Sequence, residues 1–175
     1  MKAATRDVAE LLRERAARLA VRERAATSLE SETVAIFSIG GQSFGLPLAD
    51  VVYAARLQQL TAIPRGAPHY LGLAWIGGYL VTVLDVATLL GVRDAGLRDV
   101  TICMVGSRGG RQLGFGAELL LGIEDVPASQ IVPLGGASRR EVGAPRLALL
   151  GEERTWLLDL DLLLARLDAG ELAGA

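Results

Sequence analysis

The hydrophobic pattern of this chain changes period near residue 33. Before it, Val8, Leu12, Ala16 and Leu19 share one helical face, with Leu11 beside them, among helix-forming Ala, Arg and Glu. This predicts one arm-like helix over about residues 5–26. Arg15 and Arg22 interrupt its apolar stripe, which is too narrow for a principal core element. After residue 33 the texture is β. Val34-Ala35-Ile36-Phe37-Ser38-Ile39 runs into Gly40-Gly41-Gln42-Ser43, and Phe44-Gly45-Leu46-Pro47-Leu48 returns with Phe44, Leu46 and Leu48 alternating. The same figure recurs as Val100 to Val105, a turn from Gly106 to Arg111, and Gln112-Leu113-Gly114-Phe115-Gly116. Each return leads to an Asp-Val pair, Asp50-Val51 and Asp125-Val126. Another hairpin spans Leu147–Leu150 and Thr155–Leu158. Between them, Gly72-Leu73-Ala74-Trp75-Ile76 turns through Gly77-Gly78 into Tyr79-Leu80-Val81-Thr82-Val83-Leu84. Asp85 suits the N-cap of a short helix that Gly91 stops, and Asp159 suits the cap of a last helix through Asp161–Asp168.

The repeated layout suggests two similar β units, split near residues 92–99, where Arg93, Asp94, Gly96, Arg98 and Asp99 cluster. Many short strands with glycine-rich turns mean barrels or sandwiches. Small closed barrels are favoured, since an open sheet this apolar would have sticky edges. The expected organisation is a basic helical arm over 1–30, a body over 31–168 with two barrel subdomains, and a tail over 169–175.

Composition narrows the class. With 175 residues, 51% apolar content and a mean hydropathy of +0.36, the chain can bury a core and is not disordered by composition. A net charge of −2 and a pI near 5.5 argue against nucleic acid as the main partner. Residues 1–26 hold seven basic and four acidic side chains, a net +3, so the remainder carries −5. Such a helix either packs loosely on the body or waits for a partner. A basic amphipathic helix also suits an anionic membrane, but this one has no Trp or Phe and interleaves acids. No apolar run approaches the roughly 20 residues of a membrane span, and the start of the chain, with Arg6, Asp7, Glu10 and Glu14, is not a secretory h-region. With one cysteine, Cys103, the expected compartment is the cytoplasm.

Catalytic equipment is thin. His69 is the only histidine, beside Pro68 and Tyr70 in a loop, and one cysteine cannot complete a zinc site with it. Cys103 reads as an inert core thiol. The glycine pairs Gly40-Gly41 and Gly135-Gly136 and the run from Gly106 to Gly110 lack the Gly-Lys-Ser/Thr of a phosphate loop. No enzyme activity, cofactor or metal is expected.

These pieces, in this order, give residues 33–166 a resemblance to the CheW-type chemotaxis coupling proteins. It is carried by Phe37 to Leu48, Val51-Val52, Thr61-Ala62-Ile63-Pro64, Pro68-His69-Tyr70-Leu71-Gly72, Gly78 to Asp85, Leu89-Leu90-Gly91, and the closing Leu158-Asp159-Leu160. The resemblance implies two SH3-like β-barrels with an apolar groove between them and no catalysis. It implies an adaptor that binds the regulatory domain of a chemotaxis histidine kinase, itself a relative, and links it to chemoreceptor tips at membrane-associated arrays, with other CheW-like domains as further partners. The system served could be pilus-driven or another specialised motility. Expected protein-binding residues are Val51, Val52 and Arg56 at a barrel edge, and Trp75, Gly77, Gly78 and Tyr79 on the hairpin. The family's hairpin reads Asn-Leu-Arg-Gly, with the arginine tied to receptor docking. Here it is Trp75-Ile76-Gly77-Gly78, so glycine stands in the arginine's place, and no glycine mimics that fork of donors. Thr82 replaces a usual proline, and Ala54 or Ala55 a usual glutamate. Trp75 is either an interface anchor or packed within the first barrel. Two other readings remain: a paralogue that binds kinase but not receptors, and a regulatory β-barrel that holds a small ligand.

Overall fold

A computed structural model describes residues 31–91, 99–134 and 143–169. The expected N-terminal arm, nearly all of the cluster at 92–99, Gly135-Gly136 and most of the tail lie outside them. Among the described residues, eleven strands run in the order β1 (Ser31–Ile39), β2 (Gln42–Pro47), β3 (Val51–Arg56), β4 (Tyr70–Ile76), β5 (Tyr79–Leu84), β6 (Ile102–Arg108), β7 (Arg111–Ala117), β8 (Leu119–Pro127), β9 (Ile131–Pro133), β10 (Arg146–Leu150) and β11 (Glu153–Leu157). Helix α1 (Val86–Leu89) follows β5, and α2 (Leu160–Asp168) follows β11. Asp85 caps α1 by accepting from the Thr88 N–H at 3.0 Å, and Asp159 caps α2 by accepting from the Leu162 N–H at 3.0 Å.

The strands form a six-stranded sheet, β8-β1-β2-β11-β10-β9, and a five-stranded sheet, β3-β6-β7-β5-β4. The two orders are equivalent. A strand from the other half of the chain (β8 or β3) flanks a hairpin (β1–β2 or β6–β7), which pairs in parallel with the second strand of another hairpin (β10–β11 or β4–β5). Each sheet therefore draws strands from both sides of residues 92–99. The expected subdomain boundary there does not separate the two barrels. Hairpin turns are local signals and register in sequence, whereas β3 and β8 each leave their own hairpin to pair with the other one.

Both sheets curl. Val34 and Ile36 of β1, Val126 of β8, Ala148 of β10 and Leu157 of β11 meet inside the six-stranded barrel. Ala74, Ile76, Val81, Val83, Cys103 and Val105 meet inside the other, with Tyr53 and Ala55 of β3 against them. The alternate faces of the same strands are not solvated. Ala35, Phe37, Ile39, Phe44 and Leu46 from one barrel pack with Leu84, Met104, Leu113 and Phe115 from the other, under α1 and α2. The Phe37 ring centroid lies 5.9 Å from that of Phe44 and 6.2 Å from that of Phe115. Much of the space expected as a groove is thus a shared core, which explains why the strands read as apolar runs rather than strict alternation.

Glycines make the double-sided packing possible. In β2 and β7, large side chains point to the shared core and glycines point into the barrels. A Cβ on Gly114 would lie 2.7 Å from Cys103 Sγ and 3.1 Å from Val81.

Candidate protein-docking surface

Two adjoining regions of the five-stranded barrel carry the residues singled out in the sequence. The first is β3, at one end of the sheet. Its side chains alternate, with Val52, Ala54 and Arg56 exposed and Val51, Tyr53 and Ala55 half-buried. Val51 packs against the shared core, so it belongs to the barrel wall rather than to a free surface. Val52 sits at a bulge between Val51 and Tyr53 and is 46% exposed. Ahead of β3, Asp50 is buried and pairs with Arg108 Nη1 at 2.9 Å, while Arg108 Nε donates to Asp161 at 3.2 Å. Burial pushes the Asp50 carboxyl above its usual range, and Arg108 pulls it partly back.

The second region is the β4–β5 hairpin. Trp75 stands opposite Leu80, and Ile76 opposite Tyr79. Ile76 turns into the barrel, whereas Trp75, Tyr79 and Leu80 are 72%, 61% and 60% exposed. Of the two readings of Trp75, packing within the barrel is removed. Leu80, by sequence one more residue of an apolar strand, joins the patch through its cross-strand register with Trp75. The turn is made by Gly77 at φ +58 and Gly78 at φ +85, both left-handed. A Cβ on Gly77 would lie 2.6 Å from the Tyr53 Oη, which donates to the Ile76 carbonyl at 3.0 Å. That bond ties β3 to the hairpin across the ends of the sheet, and the Tyr53 ring fills the space that a side chain on Gly77 would enter. Burial raises the Tyr53 phenol, so it stays a donor at neutral pH.

Between the barrels, a shallow cavity of about 320 Å³ remains where Ala54, Arg56, Thr101 and Ile102 face Leu120 of β8. Arg56 is the charged side chain on its rim. It adjoins β3 and not the exposed hairpin residues.

Nothing in these regions is built for covalent chemistry. Burial pushes the Cys103 thiol up to about 12. His69 is half-buried, its ring 4.6 Å from that of Tyr70. No group of three or more potential metal ligands occurs among the described residues, and no described helix is long and apolar enough to cross a membrane.

The model of the CheW-like domain matches residues 33–168. The chain belongs to the CheW-like domain family. It is a scaffold of chemotaxis-type signal transduction and not an enzyme. This CheW-like chain is 30% identical to Protein FrzA of Myxococcus xanthus over 107 residues, covering 60% of this chain and 67% of that protein. Its fold is similar to that of the scaffolding protein TtCheW from Thermoanaerobacter tengcongensis, with a TM-score of 0.62 over 74% of this chain and 89% of that one. At 15% identity, that likeness speaks to the fold.

Proposed function

We propose that this CheW-like chain is an adaptor that holds a chemotaxis-type histidine kinase, through its regulatory domain, to the cytoplasmic tips of chemoreceptors. In this reading it works in the cytoplasm at membrane-associated arrays, where other CheW-like domains are further partners. The outer face of β3, Val52 and Arg56, contacts the kinase. The hairpin patch of Trp75 and Leu80, with Tyr79 beside the turn, contacts the receptor, in place of the arginine that the family uses there. The observation that carries the reading is this patch: Trp75 and Leu80 stand opposite each other on the outer face of a glycine-turned hairpin, 72% and 60% exposed, with Tyr79 exposed beside the turn. Tryptophan and tyrosine are the residues most often found to anchor interfaces. Service in a specialised motility system is part of this reading.

Co-sedimentation with receptor-bearing membranes and the kinase tests this. Wild-type chain should pellet with both. Trp75→Ala should lose most receptor-dependent pelleting while still binding the kinase in solution. A second reading, in which the chain binds kinase but not receptors, is favoured by Gly77 in the arginine's position. It predicts no receptor-dependent pelleting even for wild type.

A further inference from the structure

The open end of the six-stranded barrel holds a cavity of about 600 Å³ that the adaptor reading does not use. Its lining includes Glu124 and Asp125 of β8, Glu153 and Thr155 of β11, and the apolar Ile36 and Leu121. No basic side chain lines it among the described residues. Asp125 accepts from the Thr33 hydroxyl at 2.6 Å, whereas Glu124 and Glu153 have no ion-pair partner among the described residues. The Thr155 hydroxyl is the second observation. Thr155 is 1% exposed, lines the cavity, and its Oγ1 has no hydrogen-bond partner among the described residues. Buried hydroxyls in folded proteins are nearly always paired, so this orphan marks a missing partner, and a guanidinium can supply one by donating to its lone pairs.

The chain itself carries a donor of the right kind. Residues 1–26 have a net charge of +3, against −5 for the rest of the sequence. Chain entry into β1 is at Ser31, opposite Pro127, which also lines the cavity. Six residues lie between Arg24 and Ser31, so the seven steps reach up to roughly 24 Å. Beside the cavity, β8 ends its sheet and leaves Leu119, Leu121 and Ile123 60%, 49% and 61% exposed. A segment that alternates arginines with a narrow stripe of Leu and Val matches this acidic mouth and apolar strand at once.

We infer that the acidic cavity of the six-stranded barrel receives an arginine of the chain's own N-terminal segment, Arg22 or Arg24, and that the apolar stripe of that segment covers β8. The guanidinium would donate to Glu124 and Glu153 and to the Thr155 hydroxyl. The segment is then a strap on the body rather than a free arm.

The test uses the full chain with a spin label on Ala20→Cys. Cys103 is buried, so the label reacts only at the new thiol. Strong paramagnetic broadening is expected at the amides of Leu121–Asp125 and Gly151–Thr155. It should be largely lost in Arg22→Gln/Arg24→Gln and in Glu124→Gln/Glu153→Gln, each folded by circular dichroism. Salt at about 0.5 M should weaken it in part. Absence of broadening at these amides overturns the inference, as does broadening that survives both charge-removing variants. Broadening seen when the label and the nitrogen-15 sit on different copies overturns it too, since the occupant would then come from another molecule.

Discussion

Val51 and Val52 are neighbours with opposite duties. Val51 packs on the shared core and Val52 faces solvent at a bulge. A charge at Val51 enters an apolar environment and costs several kcal/mol when unpaired. Val51→Asp is therefore expected to lower the melting temperature steeply, and its binding loss would report unfolding. Val52→Asp should leave the melting temperature within a few degrees and weaken kinase binding about tenfold, or ~1.4 kcal/mol. Calorimetric melting of both variants separates them. Asp50 gives a pH signature. Burial raises its carboxyl above 3.8 in the folded chain, so the native state holds the proton more tightly than the unfolded one. Its contribution is most favourable below 3.8 and declines as pH rises through the folded pKa. The melting-temperature difference between wild type and Asp50→Asn should move in the wild type's favour from pH 7 to pH 4, and movement the other way contradicts the assignment. At this scale the sequence was legible where a residue's role is local. Asp85 and Asp159 could be read as caps from their neighbours alone. The split between Val51 and Val52 could not, because a bulge in register decides it.

Among the elements, the return strands and the β4–β5 hairpin show how glycine sets the architecture. Gly114 lets β7 lie against Cys103 and Val81. Gly114→Val should destabilise by about 1–3 kcal/mol through overpacking, read as a shift of the urea midpoint at unchanged slope. On the hairpin, Gly77 and Tyr53 share one space. Gly77→Ala meets both a left-handed φ and the Tyr53 hydroxyl. It should cost about 1–3 kcal/mol. Part of that cost should vanish in a Tyr53→Phe background, and strict additivity of the two changes would show that the contact does not matter. The hairpins were visible in sequence because apolar runs bracket glycine pairs. β9 was not, because three residues ending in proline carry no period. The extent of β8 was hidden as well. Its exposed Leu119, Leu121 and Ile123 have the composition of a buried strand but sit at the end of a sheet.

For the whole molecule, the repeat in the sequence marks two chain segments, whereas the barrels are assembled from parts of both. β3 and β8 cross over, and one apolar core joins the barrels through Phe37, Phe44 and Phe115. The two barrels should therefore unfold as one unit: Phe115→Ala, expected to cost about 3–5 kcal/mol, should lower a single cooperative transition rather than split it in two. The crossing could not be read from sequence, since strand partners across tens of residues leave no local mark. The central claim is that this chain works by docking and that the outer face of β3 is one docking surface. Titration calorimetry of the full chain against the regulatory domain of its chemotaxis-type histidine kinase tests it most directly. The account predicts a saturable one-to-one complex, weakened about tenfold by Val52→Asp and unchanged by Trp75→Ala. No binding by the folded wild type, or equal binding by Val52→Asp, would contradict it.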